Sequence, residues 1–141
     1  MIVVDSNVIA YLLLPGEWTE AAEALLENHP LWAAPPLWRS EFRNILAGYL
    51  RRGTLAQEQA LALQCAAEEL LTEIPVDSRA VLELVRQSAC SAYDCEFVAL
   101  ARQIRGFLYT MDSQLLAAFP DTAKPLQKPA PQPQPAPEKG L

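Results

Sequence analysis

The chain has 141 residues, 51% of them apolar and 20% charged, with a net charge of −6. That length suits one domain able to bury a real core, and no apolar run approaches the ~20 residues of a membrane span. The acidic balance excludes general nucleic-acid affinity, and the N-terminus lacks the basic start of a signal peptide, so a cytoplasmic protein is expected.

"MIVVD" is a short β-branched run that predicts a buried strand ending at Asp5. "SNVIAYLLL" has helical length and is stopped by Pro15-Gly16, and residues 17–28 form an amphipathic helix. "LWAA" (31–34) is a second strand, after which Pro35-Pro36 opens a helix to about Arg52, Pro36 suiting its first turn. Gly53 ends that helix, and Thr54 with Gln57 is a capping box for the next, which runs to about Leu71. "TEIPV" is a third strand, and Asp77 caps a helix over 78–89. A helix from Ser91 to about Arg105 stops at Gly106, "FLYT" (107–110) is a strand, "DSQLLAAF" a short helix and "AKPL" a last edge strand. Strands alternating with helices mean an α/β fold with a mainly parallel sheet of four or five short strands. From about Lys128 the dense proline of "KPAPQPQPAPEKG" predicts a disordered or polyproline-like tail.

The charge is unevenly spread. All three lysines lie in the C-terminal part, and residues 1–120 carry eight arginines against fifteen acids, a net −7. Any nucleic-acid role must therefore rest on a local site with bound cations. Cys65, Cys90 and Cys95 lack CxxC spacing and have only His29 as a nitrogen partner, so they are expected to be reduced, buried thiols rather than a zinc site. A lone His29 in a turn also argues against a Ser-His-Asp triad.

Four acids are placed alike. In a parallel sheet each strand ends, and the next helix begins, at the C-terminal edge. Asp5 ends the first strand, and Asp112 follows "FLYT" by two residues. Asp94 lies in the first turn of its helix, on the face of Val98 and Ala101, and Glu41 in the second turn of its own. Each Asp has a plain structural role: Asp5 and Asp112 as N-caps, Asp94 as the partner of Ser91 in a capping box. Glu41 has none, since its helical neighbours include Leu37, Trp38, Ile45 and Gly48 while Arg39 and Arg43 face the other way. Gathered at one rim, two carboxylates about 5 Å apart repel by roughly 3 kcal/mol at an effective dielectric near 20. Protonation or a divalent cation relieves this, and an all-oxygen set without His or Cys selects a hard ion, Mg²⁺ or Mn²⁺. Such a site suits phosphodiester hydrolysis and draws a polyanion to an acidic protein.

Four segments carry a family resemblance: "VVDSNVIAYLL", "SEFRNIL" around Glu41, "SAYDCEFVALA" around Asp94 and "LYTMDSQLLAAFP" around Asp112. In order and spacing the chain resembles the PIN-domain ribonucleases, most closely the VapC-type toxins of bacterial toxin–antitoxin pairs, over about residues 1–126. The resemblance implies a three-layer α/β/α PIN-like nuclease domain over 1–126, followed by a proline-rich tail over 127–141. It further implies a Mg²⁺- or Mn²⁺-dependent endoribonuclease whose ligands are Asp5, Glu41, Asp94 and Asp112, with Asn7 and Thr110 as supporting polar residues. Ser91 stands where Thr or Ser occurs in the family and Phe97 where Tyr is frequent, and neither is a ligand. An RNA substrate, a cognate antitoxin protein and a homodimer are implied as partners.

Two other readings are open. A non-catalytic PIN-fold binding module in a regulatory complex would show no stabilisation by divalent cations. Phosphatase chemistry at Asp5 usually wants a second acid two residues on, where this chain has Asn7, and a nearby Lys, which residues 1–120 lack. For RNA contact beyond the metal, Arg39, Arg43, Arg51, Arg52, Arg102 and Arg105 are the candidates.

Overall fold

The computed structural model describes residues 1–131. Five strands form one all-parallel sheet: β1 (Ile2–Val4), β2 (Trp32–Ala34), β3 (Leu71–Glu73), β4 (Leu108–Tyr109) and β5 (Ala123–Lys124), in the order β3-β2-β1-β4-β5. Between them lie α1 (Ser6–Leu13), α2 (Thr19–Asn28), α3 (Trp38–Arg51), α4 (Gln57–Leu70), α5 (Ser78–Gln87), α6 (Ala92–Gln103) and α7 (Ser113–Ala118). Crossovers between parallel strands are right-handed, so the direction of strand addition decides the layer of each helix. The chain steps outward from β1 to β3 through α1–α4, which pack on one another, then returns past β1 to β4 through α5 and α6, which pair separately. This is the three-layer α/β/α arrangement with the expected strand count.

β1 sits in the middle of the sheet, covered on both faces, which is why its IVV run has no polar alternation. α6 is nearly as enclosed, burying Cys95 and then every residue from Phe97 to Ala101. Trp32, Trp38, Phe42, Ile9 and Leu100 are the largest fully buried side chains and join the sheet to both helical layers.

Several boundaries move for local reasons. The Thr54–Gln57 capping box is not formed: the Thr54 hydroxyl donates to the carbonyl of Tyr49 (3.1 Å), closing the end of α3 after Gly53 turns the chain at φ +74°. Ala56 takes the cap position of α4 instead. Its N–H is held by the Gln59 side chain (2.8 Å), half of a capping box, since alanine has no acceptor to return. Pro35–Leu37 makes a turn before α3, with Trp38 N donating to Pro35 O (3.0 Å). β3 starts at Leu71 because it runs straight on from α4, and stops before Pro75, which has no N–H for the ladder. Cys65 is exposed, a correction to the expectation of three buried thiols. Ala60, Gln64 and Ala67 occupy the inner face of α4, and only Cys90 and Cys95 are buried.

After β5 the chain returns along α2. Leu126 is buried, and the Lys128 ammonium pairs with Glu17 (2.7 Å) and lies 5.0 Å from the Trp18 ring. Residues 132–141, which hold the rest of the expected tail, are outside the described residues. No helix among the described residues is long and apolar enough to cross a membrane.

Gly106 shows why α6 must end where it does. A Cβ there would lie 2.7 Å from the backbone carbonyl of Met1, at the start of the central strand. Gly106→Ala is expected to cost about 1–3 kcal/mol through the shift it forces. A lowered midpoint of chemical unfolding checks this, and an unchanged midpoint contradicts it.

Candidate active site

Each acid reaches the C-terminal rim of the sheet by a different route. Asp5 leaves β1 in extended backbone and caps α1, its Oδ1 accepting from Val8 N (3.1 Å). Its Oδ2 accepts from the Thr110 hydroxyl, at the end of the neighbouring β4. That hydroxyl in turn accepts from Asp112 N (3.0 Å), so one buried side chain ties together the ends of two strands and the loop that bears the next acid. Asp112 caps α7, with Oδ1 accepting from Gln114 N (2.9 Å) and Leu115 N (3.1 Å). Both N-cap roles read from the sequence are therefore real, and in neither residue does capping use more than one carboxylate oxygen.

Glu41 enters from α3, above β2. Its Oε1 accepts from the Ser6 hydroxyl (2.8 Å), which fastens α3 to the first residue of α1. Asp94 enters from α6, in the other helical layer. Its backbone N–H is capped by Ser91 Oγ (3.1 Å), while its carboxylate takes no hydrogen-bond donor from the described residues. Asn7 is exposed at the rim on α1.

The four carboxylates sense one another around a circuit. Burial, as the main cause, raises the pKa of Asp5, Glu41 and Asp94 above the ordinary carboxylate range. Repulsion adds to it: Asp112 acts on Asp5 and on Asp94, and Asp94 and Asp5 both act on Glu41. Hydrogen bonds from Thr110 to Asp5 and from Ser6 to Glu41 pull the other way. Among the described residues no Lys or Arg forms an ion pair with any of the four. The topology thus places four acids at one rim without a protein cation to balance them.

These side chains do not form a closed ligand cage as they stand. Among the described residues no group of three His, Cys, Asp or Glu is close enough to hold a metal ion. The donor set nonetheless fits a hard cation, being all oxygen. One oxygen each on Glu41 and Asp112, and both on Asp94, remain without a donor among the described residues.

Two contributors escaped the sequence reading. Ser6 is buried and orients Glu41; the only signal was its position directly after Asp5. Glu96 lies in α6, about 200° around the helix from Asp94. It is half-buried, and its charge also raises Glu41. Of the candidate arginines, Arg39 is held by Glu68 and Glu73, and Arg102 by Asp121 (3.5 Å). Arg43, Arg51, Arg52 and Arg105 are exposed and form no ion pair among the described residues.

The sequence profile of the PIN domain family matches residues 2–121. This chain belongs to the PIN-domain family. The PIN domain is 32% identical over 129 residues to Ribonuclease VapC3 of Pyrobaculum aerophilum, covering 88% of this chain and 98% of that protein. Its fold is shared with a toxin-antitoxin complex from Klebsiella pneumoniae (TM-score 0.67, 18% identity, 88% of this chain and 97% of that one). It is shared too with Mycobacterium tuberculosis VapC20, described as a sarcin-ricin loop cleaving toxin (TM-score 0.64, 20% identity, 84% and 95%). At those identities the solved structures establish the architecture, and the 32% relative joins this PIN domain to the VapC ribonucleases.

The raised carboxyls make a stability prediction. A carboxyl whose folded pKa exceeds its unfolded value binds its proton more tightly when folded, so stability falls as pH rises from about 4 through the folded value. In EDTA, the melting temperature of this PIN domain should decline over that window, and Asp94→Asn should melt higher than wild type at pH 7. A variant that melts at or below wild type would show that repulsion at the rim costs no stability.

Proposed function

We propose that the protein is a metal-dependent endoribonuclease, the toxin of a toxin–antitoxin pair acting in the cytoplasm. The observation that carries this is the rim itself: four carboxylates that repel one another, with no ion-pair partner for any of them among the described residues. Natural selection has little reason to keep so costly a cluster for folding, and a hard divalent cation both relieves the repulsion and recruits RNA to an acidic surface. Family membership and the VapC3 relative support the same activity.

Asp5, Glu41, Asp94 and Asp112 would hold Mg²⁺ or Mn²⁺, which when bound supplies a water of lowered pKa and neutralises charge building on the phosphate. The chain's own residues prepare the ground. Thr110 fixes the rotamer of Asp5 and the loop of Asp112 in one contact. Ser6 holds Glu41 by one oxygen and leaves the other for a ligand. Ser91 sets the start of α6, and so the height of Asp94 above the sheet. Hydrolysis adds water across the bond between phosphorus and O3′, leaving a 5′-phosphate and a 3′-hydroxyl.

Solved neighbours of this fold include toxin–antitoxin complexes, which supports a protein partner that silences the site, and a homodimer is part of the same reading. One observation favours the alternative, a non-catalytic PIN-fold binding module: among the described residues no three acids are spaced to enclose an ion as they stand. The two separate cleanly. Purified protein with Mg²⁺ or Mn²⁺ should cut single-stranded RNA, with Asp5→Asn and Asp94→Asn each lowering the rate at least a hundredfold. Millimolar Mn²⁺ should also raise the melting temperature of wild type but not of Asp94→Asn. Cleavage that survives EDTA, or both substitutions, refutes the metal mechanism. An absent metal-induced shift, with no cleavage, establishes the binding module.

A further inference from the structure

A groove of about 270 Å³ begins at the acidic rim beside Asn7 and is lined by none of the four acids. One wall is a stripe of Asn7 and Tyr11 on α1 with Leu14 at its C-cap, at helical spacing; the other is Ile45 and Tyr49 on α3. Both helices descend from the rim, where the Ser6–Glu41 hydrogen bond joins their first turns. Glu41, Ile45, Tyr49 and Arg52 stand at helical spacing, a track of about 16 Å leading from a rim carboxylate to a guanidinium. Trp18 closes the far end, its ring 6.4 Å from that of Tyr11.

Two cations stand beside this track. Arg52 lies over the Tyr49 ring (4.7 Å), and Lys128 over the Trp18 ring (5.0 Å). Lys128 is shared with Glu17, but Arg52, like Arg43 and Arg51 of the same helix, has no acidic partner among the described residues. Arg43 and Arg51 lie about 200° around the helix from Ile45 and Tyr49 respectively, so Arg52, at the C-cap of α3, is the guanidinium on the groove side.

We propose that this groove is a stacking subsite for single-stranded RNA, with Tyr11, Trp18 and Tyr49 as platforms for bases and Arg52 for a phosphate, delivering the strand to the rim. Aromatic faces accept any base, so the subsite would give affinity and direction rather than sequence preference. It rests on the nuclease reading, which supplies the substrate, and adds where the strand lies. A protein segment is the competing occupant, but continuity with the rim through Asn7 and the Arg52 guanidinium over Tyr49 favour the polyanion.

The test uses the full chain carrying Asp94→Asn, to prevent cleavage, and a fluorescent single-stranded RNA followed by anisotropy at several salt concentrations. Tyr49→Leu and Trp18→Leu should each weaken binding about fivefold or more, with the salt dependence unchanged. Arg52→Glu should flatten the slope of log affinity against log salt by about 0.7 or more. RNA should quench tryptophan emission, which reports Trp18 because Trp32 and Trp38 are each 1% exposed. In the cleaving wild-type background, Tyr49→Leu should raise KM and leave kcat unchanged. Binding and KM equal to the parent in both aromatic variants overturn the subsite, as does loss of a co-expressed protein partner with RNA binding intact. If wild type neither binds nor cuts RNA, the nuclease reading falls and takes the subsite with it. If it cuts RNA while Arg52→Glu and the tryptophan signal show no effect, the subsite alone falls.

Discussion

The hydroxyl of Thr110 is the contact on which the site's geometry depends. It is fully buried, donates to Asp5 and accepts from the backbone of Asp112. Two neighbouring strands end at the same height because this side chain spans their ends, and the height of a strand end decides where the following acid projects. A buried hydroxyl without partners would be costly; here both its donor and its acceptor capacity are used by groups of the site. Val at this position would keep the shape and the β propensity, yet would free Asp5 to turn and unfasten the loop before α7.

Around this contact the chain accepts local disadvantage. Burial and mutual repulsion both oppose ionisation of Asp5, Glu41 and Asp94, and a folded state selected for stability alone would not collect them. The surrounding structure compensates by rigidity: a central strand buried on both faces, a nearly all-buried α6, and helices from two layers capped by the site's own side chains. The capping bonds engage one oxygen of Asp5 and one of Asp112. Structural and chemical duties thus share these two residues without excluding each other.

Much of this was legible from residues alone. The β-branched run before Asp5, the punctuation by Pro15-Gly16 and Gly53, and the Asp and Ser caps mark most element boundaries by local rules that act within a few residues. The boundaries that moved are those where a distant or competing partner intervened. Thr54 spent its hydroxyl on the end of α3, and β3 was set by the run-on from α4. Cys65 is exposed and its neighbour Gln64 buried because the inner face of α4 is chosen by what it packs against.

By itself the sequence determined that four acids lie at strand ends or helix starts, since the alternation of strands and helices allows a parallel sheet and a parallel sheet has one rim for both. Its motifs also placed the chain among PIN domains. Tertiary structure alone decided that the strand order is β3-β2-β1-β4-β5, so that Asp5, Glu41 and Asp112 follow adjacent strands and α6 brings Asp94 over from the opposite layer. It alone revealed Ser6 holding Glu41, the proximity of Glu96, and the aromatic groove between α1 and α3. The reason is the range of the forces involved. Periodicity and capping are local and can be read along the chain, whereas lateral strand order, and every contact that depends on it, joins residues tens of positions apart.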